Sequence, residues 1–109
     1  MDEGAQKFVV ILEQDDRGIF AVHCPALPGC SSQGEDREDA LEMIKEAIEL
    51  VLEVIEERKE EEPDLEFVLE ETPALLAEEV REILEYRAEY GMPLIVEFAE
   101  VTVPATVPV

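Results

Sequence analysis

Residues 17–36, RGIFAVHCPALPGCSSQGED, leave this chain few ways to fold. Gly18 closes a polar turn, and Ile19 to Cys24, rich in β-branched and aromatic residues, predicts a strand. Pro25 stops it, because proline has no N–H for a sheet ladder. Ala26-Leu27-Pro28-Gly29 predicts a second turn, with proline fixing φ and glycine free to take a positive one. Cys30 to Gln33 can then return as a third strand. Glu35-Asp36 places acid where a helix N-terminus favours it. A strand, a tight corner, a short strand and a helix start thus fall within one stretch.

The flanking chain follows from that corner. Lys7 to Glu13 reads as a first strand, with Phe8, Val10 and Leu12 on one face and Val9 and Ile11 on the other. Both faces are apolar, which suits a strand covered on both sides. Gln14 to Gly18 is a hairpin loop. A long helix is predicted over Arg37 to Lys59. Leu41, Ile44, Ile48, Val51 and Ile55 form its core stripe, and Ala40, Met43, Ala47, Leu50 and Val54 an adjoining one. Leu52 falls outside both. Glu56 to Asp64 is charged throughout and reads as a solvated helix end and linker, stopped by Pro63.

Beyond it, Leu65, Phe67 and Leu69 alternate with Glu66, Val68 and Glu70, so Leu65 to Glu71 favours a short edge strand or extended arm. Thr72 is a predicted N-cap, with Pro73 at the first helical position of a second helix reaching about Tyr90. Its inner face carries Leu76, Val80, Ile83, Leu84 and Arg87, and Gly91 and Pro93 mark its end. Leu94 to Val103 reads as the last strand, and Pro104 to Val109 as an extended tail. These elements make an α+β fold in the order β-β-β-α-α-β: a three-stranded antiparallel meander, a long helix, a second helix and a returning strand in two layers. At 109 residues it is one domain, 1–109.

Charge narrows the function. With 29 Asp and Glu against 8 Lys and Arg, the net charge is −21, which repels phosphate and speeds encounter with a basic protein. The chain alone is therefore expected not to bind nucleic acid. Met1-Asp2-Glu3-Gly4 is acidic with no apolar leader segment after it, and no run is long enough to span a membrane. A cytoplasmic protein with reduced thiols is the expectation. The surplus of apolar strand and helix faces predicts a homodimer or higher oligomer.

The chemistry-bearing residues are sparse. His23, Cys24 and Cys30 flank the corner without a fourth ligand or a C-x-x-C pair, and read as structural rather than metal-binding. Ser31 and Ser32 lack a nucleophile-elbow context, and no phosphate-binding glycine motif occurs. Glu13 meeting Glu42 or Glu46 across the sheet would make a carboxylate cluster for metal-assisted hydrolysis; a sheet-end glutamate in water is the simpler reading. No catalytic residue, metal or cofactor is assigned.

The corner also resembles a family. Phe8 to Glu13, Gly18-Ile19-Phe20-Ala21-Val22, Cys24-Pro25-Ala26-Leu27-Pro28-Gly29-Cys30, Gln33-Gly34-Glu35, Glu38-Asp39-Ala40-Leu41 and Ala47-Ile48 together resemble the HicB-like antitoxins. The match spans roughly residues 7–58 and the final strand, with a P-x-L-P-G-C…Q-G core in that order. The resemblance implies a partial RNase H-like fold and a non-enzymatic role, binding and occluding a small basic HicA-type ribonuclease toxin. Residues 65–92 then read as a helical insertion, and the chain carries too little basic sequence for the operator-binding module many members append. An oligomeric interaction domain without a toxin is the competing reading, and a degenerate metal-dependent nuclease the remaining one.

Overall fold

The computed structural model describes residues 5–104. Along the chain lie β1 (Ala5–Gln14), β2 (Phe20–His23), β3 (Ser31–Gly34), α1 (Arg37–Glu61), α2 (Pro73–Glu89) and β4 (Glu97–Pro104). All pairings are antiparallel, and the sheet order is β3-β2-β1-β4. The predicted α+β class and element order therefore hold.

The corner is built as its residues dictate. Cys24 N–H donates to the Cys30 carbonyl at 3.0 Å, Leu27 N–H to Cys24 at 3.1 Å, and Cys30 N–H to Leu27 at 2.9 Å. Gly29 takes φ +83°, a region a side chain would strain. Asp36 caps α1 through its carboxylate, which accepts Asp39 N–H at 2.8 Å, while the Asp39 carboxylate accepts Glu35 N–H at 3.0 Å. Thr72 caps α2 by accepting Leu75 N–H at 3.1 Å, as predicted.

The core lies between α1 and one face of the sheet. Phe8, Val10 and Leu12 of β1, Val22 of β2, and Val101 and Val103 of β4 pack with Ala40, Ile44, Ile48, Leu52 and Ile55 of α1. Each large side chain so buried contributes about 1.5–3 kcal/mol. The helix is rotated slightly from its predicted seating. Leu52, left outside both stripes, is buried, while Met43, Leu50 and Val54 of the second stripe face solvent.

Ile11 is fully buried but lies outside this cluster, on the opposite face. That face is the one α2 partly covers. Arg87 of α2 bonds Glu13 and the Gln14 carbonyl, and Phe98 of β4 lines a groove with Leu76, Val80 and Leu84. The chain between the helices must therefore pass from one face of the sheet to the other.

Boundary expectations are settled or corrected at three places. Residues 65–71 form no strand, which leaves the extended-arm alternative, and they make separate bonds. Leu69 N–H donates to the Ala26 carbonyl at 2.8 Å, and Glu71 Oε2 accepts Val9 N–H at 2.6 Å. The β1–β2 register ends at Ile11↔His23, so the Glu71 carboxylate meets a backbone amide that lies beyond it. The last strand begins at Glu97 rather than Leu94, because its register with β1 ends at Leu12↔Glu97 and the nearby Gln14 and Pro93 carbonyls go to Arg87. Pro104, assigned to the tail, instead closes β4 opposite Ala5; β4 is an edge strand, where a missing N–H is tolerated. The rest of the predicted tail lies outside the described residues.

Candidate interaction surface

The Pro/Gly corner holds its thiols in the interior. Cys24 and Cys30 are buried, unbridged and adjacent across the turn. Burial, followed by the neighbouring Cys30, pushes the Cys24 thiol up to about 12, and burial likewise raises Cys30. Because the thiolate is the reactive form, raising its pKa removes reactivity at neutral pH. Alkylation by iodoacetamide at pH 8 should be at least about tenfold slower in native protein than in urea-unfolded protein. Mass spectrometry of quenched samples would show this, and equal rates would contradict it.

His23 sits on the α2 side of the sheet. Its Nε2 lies 3.4 Å from Glu79 Oε2, in ion-pair range but without hydrogen-bond alignment. His23, Cys24, Cys30 and Glu79 line a small pocket of about 150 Å³. Among the described residues, no three His, Cys, Asp or Glu side chains are placed to hold a metal ion together.

The carboxylates weighed for hydrolysis do not meet. Glu13 lies on the face opposite α1 and pairs with the buried Arg87, Nη1 to Oε1 at 3.1 Å. Glu42 pairs with Lys45 on α1, and Glu46 is exposed. The sheet separates them, because Glu13 shares its face with Ile11 while α1 covers the face of Val10 and Leu12.

Basic charge is consumed within the fold. Of the 8 lysines and arginines, Arg17, Arg37, Lys45, Arg58, Lys59, Arg81 and Arg87 lie within ion-pair distance of a carboxylate. Among the described residues no basic stripe is left to track a phosphate backbone. The surplus is acid, and most of it faces water.

Two apolar surfaces remain open. On α1, Met43, Leu50 and Val54 are 40%, 63% and 46% exposed. Leu50 and Val54 border a cleft of about 450 Å³ formed with Leu27, Val51, Ile55 and Phe67. Between α2 and β4, Leu76, Val80, Leu84, Ala88 and Phe98 line a second groove of about 690 Å³. Leu94 and Ile95, just before β4, are exposed as well. Sequence reading marked the Met43–Leu50–Val54 stripe as surplus but missed the cleft beside it. Its walls come from the corner, the helix and the linker, and only folding brings them together.

A profile described as the HicB-like antitoxin of bacterial toxin–antitoxin systems matches residues 8–86. The chain belongs to the HicB-like antitoxin family. Among similar proteins, a UPF0150 protein of Archaeoglobus fulgidus is 46% identical over 48 residues, covering 44% of this chain and 70% of that one. Another, from Thermoplasma acidophilum, is 42% identical over 57 residues, covering 52% and 83%. The crystal structure of the N-terminal domain of Burkholderia pseudomallei antitoxin HicB matches with TM-score 0.51 and 26% identity, over 95% of this chain and 100% of that domain. The match therefore includes α2, beyond the part legible in the motif. No helix among the described residues is long and apolar enough to cross a membrane.

Proposed function

We propose that this HicB-like domain is the silencing half of a toxin–antitoxin pair, a cytoplasmic protein that binds a small basic ribonuclease of the HicA type and covers its RNA-binding surface. Membership of the antitoxin family carries the reading. Charge supports it: with nearly every lysine and arginine paired internally, the net −21 is presented outward to a basic partner. The mode is occlusion, with no bond made or broken by this chain.

The experiment is co-expression with the product of the neighbouring gene. A stable complex by gel filtration at physiological salt, with ribonuclease activity suppressed in it, is expected. Steering by charge also predicts an association rate that falls by at least about tenfold between 50 mM and 500 mM salt. Failure of the two proteins to associate at micromolar concentration would overturn the proposal.

A second reading, self-association without a toxin, is favoured by one observation. The groove between α2 and β4 is apolar, and β4 offers an open edge beside it. Light scattering on the purified chain separates the two states, since a monomer has a mass of 12.3 kDa.

A further inference from the structure

We infer that the solvent side of α1, together with the cleft beneath its second half, is the face on which the basic protein partner docks. The inference rests on the antitoxin reading above and names the surface that performs it.

Position on the helix makes the first part of the argument. Met43, Leu50 and Val54 recur at spacings of seven and four, so they form one exposed stripe along α1. Ile44, Ile48, Leu52 and Ile55 already satisfy the sheet. The outer stripe is therefore surplus to the fold. It also ends at a built cavity. Leu27 of the corner, Val51 and Ile55 of the helix, and Phe67 of the linker line a cleft whose volume, about 450 Å³, accommodates an inserted side chain. Arg58 stacks over Phe67 at 5.4 Å and steadies that wall.

Charge decides the kind of partner. Beside the apolar stripe runs a second one, Glu42, Glu46, Glu49, Glu53 and Glu57, all exposed. Of these only Glu42 has a basic neighbour, Lys45. An apolar strip flanked by uncompensated carboxylates fits a surface with apolar side chains set among lysines and arginines. A second copy of this chain would meet the strip with acid of its own. The groove between α2 and β4 gives no such preference, since Arg81 and Glu85 on its rim lie 3.6 Å apart and neutralise each other. Phosphate-bearing partners are repelled by the same glutamates.

The test measures binding of the neighbouring gene's product to wild-type chain and to three variants of it. Leu50→Glu with Val54→Glu removes the apolar strip at two exposed positions, so the fold should persist, as a thermal melt will check. Glu46→Lys with Glu53→Lys reverses the charge beside it. Ile95→Glu alters the other apolar surface as a control. The expected result is a loss of affinity of about 100-fold for the first and at least about 10-fold for the second, with a flatter salt dependence. The control should stay within about twofold. If wild-type chain binds and both α1 variants bind equally well, the docking face is wrong while the antitoxin reading stands. If wild-type chain does not bind, that reading fails and this inference falls with it.

Discussion

Gly34→Ala should destabilise the fold by about 3 kcal/mol or more, and is expected to leave little native protein in solution. Gly34 is buried at the end of β3, directly under the first turn of α1. A Cβ there would lie 2.3 Å from the Ala40 nitrogen and 2.7 Å from both the Ala40 Cα and the Asp39 carbonyl carbon. These are backbone atoms, so no rotamer change relieves the clash. The helix would have to lift from the sheet, opening the core around Ala40 and Ile44. Gly29→Ala is the comparison. It has φ +83° but open space around it, and should cost only about 1 kcal/mol. Urea unfolding of both variants checks the contrast. A loss below about 1 kcal/mol at Gly34 would mean that β3 and α1 separate more easily than their packing implies.

The second large effect is expected at Arg87, the only buried residue of α2. Its side chain is 2% exposed and donates to three acceptors: Pro93 O at 2.5 Å, Gln14 O at 2.8 Å and Glu13 Oε1 at 3.1 Å. Arg87→Ala would leave two carbonyls and a partly buried carboxylate unanswered. Breaking such a pair costs about 3–5 kcal/mol when fully buried; Glu13 keeps 23% exposure, so about 3 kcal/mol is expected. Arg87→Lys should recover less than half, because an ammonium cannot reproduce the guanidinium fork. The damage should be local. Amide exchange over residues 73–89 should accelerate while the strand amides of β1 remain protected, since α1 and the sheet hold the main core without α2. Uniform loss of protection would show that α2 is integral to the core.

Much of this was legible from local chemistry. The Pro/Gly corner, the acidic helix start, Thr72-Pro73 and the Gly91/Pro93 stop are signals carried by one or a few adjacent residues, and each behaved as read. Arg87 was legible too, placed by spacing on the inner face of its helix. What failed depended on partners distant in sequence. Leu65 to Leu69 alternates well enough for a strand, yet a strand needs a continuous edge to pair with, and this segment finds single acceptors and donors instead. Leu94 to Val96 has strand composition, but its pairing with β1 stops at Leu12↔Glu97, where Arg87 takes the nearby Gln14 and Pro93 carbonyls. Leu52 was missed, and Leu41 and Val51 are only partly buried, because a small rotation about the helix axis decides which flank of a broad stripe is covered. The cleft under α1 had no local signal, since Leu27, Val54 and Phe67 meet only in the folded chain.

The bond from Val9 N–H to Glu71 has a consequence for how the protein behaves in a crowd. β1 has 10 residues and β2 only 4, so the first half of β1 has no strand beside it on that side. Bare backbone of this kind is a template on which another chain can add a strand and begin to aggregate. Here the Val9 amide is already occupied by a carboxylate arriving from the linker, 62 positions along the chain. An incoming strand would have to displace a charged group from a short bond and do so against the field of a strongly acidic surface. The linker that carries the chain between the helices thus also acts as a guard, occupying an amide of the central strand where the sheet could grow by accident.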